Sequence, residues 1–280
     1  MTLRIFGNGQ CYGQPLEVAP ADELATGVAV SVADDTVTYL TATAVDEDGR
    51  QSVCSNALTY VEDSVAPPAA AIEAKPAPFT RRAIRVSWHD VLDSNPPLAY
   101  AVTGRAASWT GGFGDPFDVA RAPQAGSARV HARPGWTYCF RVRVTDAAAN
   151  AGRESAAACT ARPIDDVALK GRGWARRDGV RGFYRGTFIR TRIHGTTATL
   201  DGVRTRTLAL LATTGPGNGV VDVFLGGERI RRLDLSASPF ERSRLIPLAN
   251  FSSPHRGGVV VKVVSYGRPV TIDGLGTSIR

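Results

Sequence analysis

Flat aromatic rings set beside hydrogen-bonding groups are the side chains of this sequence best suited to recognising a ligand. They stand at Trp109, Phe113 and Phe117, and again at Trp174, Phe183, Tyr184 and Tyr266. The apolar face of a pyranose packs on such a ring while neighbouring Asp, Asn or Arg groups bond its hydroxyls. Trp174 is the aromatic least committed to a core, because it sits in the polar, glycine-rich stretch KGRGWARRDG with Arg172, Arg176 and Arg177 around it. Trp174, Tyr184 and Tyr266 are therefore the candidate ligand-binding residues, and core packing is the competing role for each.

Other chemistry is thinly represented. DEDG at 46–49 places the carboxylates of Asp46 and Asp48, with Glu47 between them, in a tight turn, as a fragment of a calcium site would. A solvated hairpin turn uses the same residues, and the matching turn at 146–150 keeps one Asp and one Asn, so no metal site is expected. GPGNG at 215–219 is not followed by a helix start and reads as a loop between strands. His89, His131, His194 and His255 are scattered, with no acidic or nucleophilic partner at a telling spacing. The nucleophile-elbow, zinc-protease, P-loop and dinucleotide fingerprints are absent. Neither catalytic residues nor cofactors are expected, and the chain reads as a non-enzyme.

Charge narrows the partner. Residues 1–66 hold two basic against ten acidic side chains, 67–164 twelve against seven and 165–280 nineteen against nine, so the net +7 divides into −8, +5 and +10. A basic C-terminal third suits an acidic polysaccharide or cell-wall polymer. The cations are nearly all arginines, a bias that a GC-rich genome also produces. Arg190 with Arg192, and Arg204 with Arg206, alternate along runs of strand character, which places each pair on one solvated face. Phosphate backbones need a continuous basic track, so nucleic acid is not an expected partner.

The elements that must carry these residues are strands. VAVSVADDTVTYLTATAV, AIRVSW, FRVRVTD, TLALLATT, GVVDVFL and GGVVVKVVSYG are β-branched, often alternate with period two, and are punctuated by Gly, Pro, Asn and Asp. Almost nothing suggests helix. No stretch reaches 18 apolar residues, so no membrane insertion is expected. MTLRIFGNGQ lacks a basic segment followed by an apolar one and reads as a strand, not a signal peptide. Met1 is expected to be an internal start or a fragment boundary, with a secretion signal upstream.

One hairpin occurs twice. YLTATAVDEDGRQSVCSNALTYVEDSVAPP from Tyr39 aligns with YCFRVRVTDAAANAGRESAAACTARPIDD from Tyr138: a strand, an Asp-containing turn, a second strand and a cysteine near its end. Two copies about a hundred residues apart indicate tandem sandwiches of immunoglobulin size. Boundaries fall at 63–68, where a V-A-P-P run enforces an extended linker, and near 162–170. The four cysteines, Cys11, Cys54, Cys139 and Cys159, fall two on each side of the proline-rich stretch at 65–78. None forms a CxxC pair or has a histidine at ligand spacing, which favours disulfides and an oxidising compartment.

Residues 67–164 resemble a fibronectin type III domain through Trp88 in IRVSWHDV and Tyr138 with Phe140 in YCFRVRVTD. The resemblance implies that Trp88 packs between two sheets and that Cys139 pairs with Cys159 across a hairpin. Residues 1–66 resemble a bacterial Ig-like repeat, through TLRIFGNGQCYGQPL and the first copy of the hairpin, but are short for a complete one, so its N-terminal strands are expected to be missing. Cys11 would then pair with Cys54. Residues 165–280 resemble the jelly-roll modules attached to secreted glycoside hydrolases, many of them carbohydrate-binding, through GVVDVFLGG and VTIDGLG.

The resemblances imply an all-β chain of tandem sandwiches, secreted or displayed on a bacterial surface and monomeric. Its first two modules would be spacers and its third would bind polysaccharide. A structural or adhesive stalk, and the accessory region of a secreted hydrolase, are the alternatives.

Overall fold

A computed structural model of the chain describes residues 1–236 and 239–280. The described residues form antiparallel sheets joined by loops, and the helical turns among them are short 3-10 segments. Two compact units emerge: 1–68 with the loops 92–98 and 145–152, and the remainder.

In the first unit, β1 (Thr2–Phe6), β2 (Glu17–Pro20), β3 (Val37–Val45) and β4 (Leu58–Val61) form one sheet in the order β2-β1-β3-β4. Its apolar core is small: Leu3, Phe6, Ala19 and Val45 are buried, joined by the polar Thr41 and Thr43. Val37 and Tyr39 at the start of β3, and Leu58, Tyr60 and Val61 on the edge strand β4, stay exposed. The Cys11–Cys54 disulfide ties the loop after β1 to the segment that runs beside β3. That segment holds β3 through Ser52 and Ser55, whose backbone N–H groups donate to Ala44 and Ala42 and whose hydroxyls accept from the same two residues.

The second unit opens with a sandwich. One sheet joins β5 (Ile72–Lys75), β6 (Ile84–Trp88) and β9 (Gly126–Val130); the other runs β11-β10-β7-β8, from β7 (Ala99–Ser108), β8 (Phe117–Ala122), β10 (Trp136–Thr145) and β11 (Ala158–Ala161). Strict alternation in FRVRV sends Phe140, Val142 and Val144 into the core at 0% exposure. Trp88 is 5% exposed, with its indole N–H donating to the Gln124 carbonyl. The Cys139–Cys159 disulfide joins directly opposed residues of β10 and β11.

The rest of the chain forms one eight-stranded sheet. Its path is β13 (Ala175–Arg177), β14 (Phe188–Thr191), β19 (Val270–Ser278), β15 (Thr197–Thr214), β18 (Glu241–Val263), β16 (Val220–Leu225) and β17 (Glu228–Asp234), while β12 (Ile164–Asp165) pairs with β19. Register shifts interrupt the long β15–β18 ladder at four places. Such bulges sharpen the twist and bend the strands, which lets one sheet cover its own core. Consecutive Leu208 to Ala212 are accordingly all buried, on both faces of β15.

This sheet and the sandwich before it share side chains. Phe79, Ala161 and Ala209 form one buried cluster, and Trp109 packs against the eight-stranded module's core. The Arg81 guanidinium donates to the Ser243 carbonyl, and Ile279 N–H to the Thr137 hydroxyl. Trp109, one of the aromatics suited to sugar stacking, is thus engaged in joining the two modules.

Candidate functional site

The eight-stranded module carries an arginine-lined groove at the β13–β14 edge. Its volume is about 410 Å³, and it is bounded by Arg177, Arg190 and Arg192 with Phe188 and Ile193. The three arginines are exposed, and among the described residues none forms an ion pair. Alternation along β14 turns Arg190 outward, and Arg192 follows just past the end of that strand. Arg192 donates to the Gly267 carbonyl, which brings the 265–268 turn alongside.

On that turn Tyr266 stands 77% exposed, its ring 4.0 Å from that of His194 and within 7° of parallel. The imidazole backs one face of the exposed tyrosine ring, which stands next to a cationic groove. His194 was visible in the sequence only as an isolated histidine, because its partner ring lies far along the chain.

The other two candidate residues do not line the groove, although Gly173 and Ala175 on either side of Trp174 do. Trp174 is half-buried, packs against the module's core and donates its indole N–H to the Thr197 carbonyl over 2.9 Å. Tyr184 is 4% exposed, so no ring face is open to a sugar. Its hydroxyl donates to the Pro163 carbonyl and accepts from Arg162, and burial pushes the phenol's pKa up. The polarity of KGRGWARRDG describes the surface of its loop, not the face that Trp174 turns inward.

Tyr184 belongs to a buried polar cluster that spacing alone could not reveal. Its backbone N–H donates to Asp273, and Asp165 and Asp166 share the Thr187 hydroxyl as a donor. Asp165 pairs with Arg185 and Asp166 with Arg176. Burial pushes Asp273 up to about 7 and Asp166 up to about 6, against the hydrogen bonds and cations that hold the charged forms. Both side chains have 0% exposure, so no substrate reaches them and the perturbed acidity is structural. The hint in the sequence is the Asp-Asp pair at the start of the module.

The class these features define is an all-β chain of several antiparallel sheets braced by two disulfides. No family model matches the chain, and no curated protein does. Among solved structures it is similar to an alpha-L-rhamnosidase from Dictyoglumus thermophilum, at 11% identity over 77% of this chain and 29% of that one, TM-score 0.33. It is similar to the FN1–FN3 domains of chicken CNTN1, at 11% identity over 99% and 91% of the chains, TM-score 0.28. A tetra-tandem repeat from the extending region of a large adhesion protein aligns at 15% identity over 99% and 66%, TM-score 0.29. At these identities and scores the likenesses carry no argument about what the chain does.

Proposed function

We propose that the chain is a non-catalytic extracellular binding protein whose eight-stranded module takes an acidic polysaccharide. The reading rests on one observation: three arginines with no acidic partner among the described residues line a groove that adjoins the exposed Tyr266–His194 stack. Carboxylate groups of a uronic-acid polymer would meet the guanidiniums, and a sugar face would lie on the tyrosine. The two disulfides fit an oxidising, extracellular setting. The preceding modules act as spacers.

The test is retention of the full chain in gels containing polygalacturonic acid, a neutral glucan or single-stranded DNA, at two salt concentrations. Retention is expected on the polyuronate alone, and Tyr266→Ala should weaken it by about threefold to tenfold. Equal retention on DNA, or binding indifferent to both Tyr266 and Arg192, would overturn the reading. The placement of Tyr184 and Trp174 against the core favours a second reading, a stalk with a charged surface. That reading expects no retention on any of the three.

A further inference from the structure

We infer that Asp63, Asp93 and Asp146 form a calcium site in the first unit. One oxygen from each lies within 4.8 Å of the others. Each carboxylate is steadied by a backbone N–H through its Oδ1: Val65 for Asp63, Asn95 for Asp93 and Asn150 for Asp146. Asp146 is 6% exposed, and its Oδ2 is buried with no hydrogen-bond partner. The Oδ2 of Asp63 is buried and unpartnered as well. Among the described residues no lysine, arginine or histidine pairs with any of the three. Three carboxylates this close, two of them with buried bare oxygens, need a positive charge among them.

The repeated hairpin supplies the internal comparison. In the first copy Asp46 accepts from the Arg50 backbone N–H, as Asp146 does from Asn150, and both turns close with a bond from the Asp N–H to the carbonyl four residues on. There Arg50 also turns its guanidinium back onto Asp46, at 3.0 Å, and onto Asp48. The cation is built into the chain. In the second copy the equivalent position is Asn150, a neutral amide whose Nδ2 donates to the Asp63 carbonyl, so it draws the linker in without supplying charge. A bound cation completes in the second turn what Arg50 completes in the first.

The donors are all oxygens, which selects a hard cation. Several carboxylates on loops suit calcium, with its 6–8 ligands and adaptable geometry, better than magnesium, which demands a near-ideal octahedron and keeps its water. The sequence reading expected no metal here, because the turn at 146–150 holds only one of the three acids and the others come from 63 and 93.

The experiment is a calorimetric titration of the EDTA-treated full chain with calcium chloride, repeated with magnesium chloride, alongside thermal melts. Saturable binding is expected at calcium concentrations of about 10⁻⁴ to 10⁻³ M, typical of extracellular modules, with a raised melting temperature for the first unit. Asp146→Asn, and the less buried Asp93→Asn, should each weaken binding at least about tenfold, whereas Asp46→Asn should leave it unchanged. No calcium-dependent heat or melting shift, equal affinity for magnesium, or binding undiminished in Asp93→Asn would overturn the assignment.

Discussion

Replacing Cys11 and Cys54 by serine is expected to unfold residues 1–61 while the eight-stranded module stays folded. The bond closes a loop of 43 residues, which in the chain-entropy model stabilises by about 4 kcal/mol. Four buried apolar side chains, two of them no larger than valine, leave little to replace it. A single sheet with exposed apolar residues on its outer strands recovers too little transfer energy to offset the ordering of its backbone. Cys139–Cys159 closes only 20 residues inside a sandwich whose core includes Phe140, Ile84 and Val102 at 0% exposure, so its loss should cost about 3 kcal/mol without unfolding the module. Hydrogen exchange read by mass spectrometry separates the outcomes. Amides of β1 and β3 should lose protection in Cys11→Ser/Cys54→Ser, and those of β15 and β19 should keep it. Retained protection in β1 and β3 would mean that the small core holds without its staple.

The strands are legible in the sequence because they depend on short-range pattern, whereas the disulfide pairings, one of them across 43 residues, follow from the domain resemblances. Period-two alternation in FRVRV sets which residues of β10 turn inward, and the repeated hairpin places Cys139 opposite Cys159 on adjacent strands. The core place of Trp88 is what the fibronectin type III resemblance implies, and on β6 the side chain is 5% exposed. The site residues were harder, because a ring's environment is assembled from distant segments. Tyr184 follows a glycine-rich turn that reads as surface, yet Asp273 and Pro163 draw it into the core. Tyr266 sits on an equally polar turn and remains outside, where His194 covers one face of its ring. Local polarity is the same in both, and only the partner from elsewhere in the chain decides between them. The Asp63–Asp93–Asp146 cluster was hidden likewise: the linker, a loop and a hairpin turn each contribute one acid, and none alone has ligand spacing.

Stability of the eight-stranded module is expected to fall as pH rises from about 4 to about 7, the reverse of the usual behaviour of a paired carboxylate. Asp273 is held up to about 7 in the fold and Asp166 up to about 6, mainly by burial. In the unfolded chain both titrate near 3.9. Between those limits the folded chain keeps protons that the unfolded chain has released, so unfolding is progressively favoured by each step of alkalinity. Above about 7 both states are ionised and the penalty is constant. Asp166 and Asp165 both raise Asp273, so the two shifts are not independent; the pair should cost roughly 2 to 4 kcal/mol between pH 5 and pH 8. Asp222 works in the opposite sense: Arg232, donating from Nε and Nη2 to its two oxygens at 2.7 Å, lowers its pKa, and its contribution is lost only as pH falls below about 4. The two windows therefore do not overlap. Asp273→Asn keeps an acceptor for the Tyr184 N–H but carries no charge, so the variant should match the parent near pH 5 and exceed it near pH 8. Urea unfolding of both chains across that range reads the difference directly. A parent whose stability is level or rising from pH 5 to pH 8, with Asp273→Asn running parallel to it, would mean that the Asp273 carboxylate is ionised at little cost in the fold.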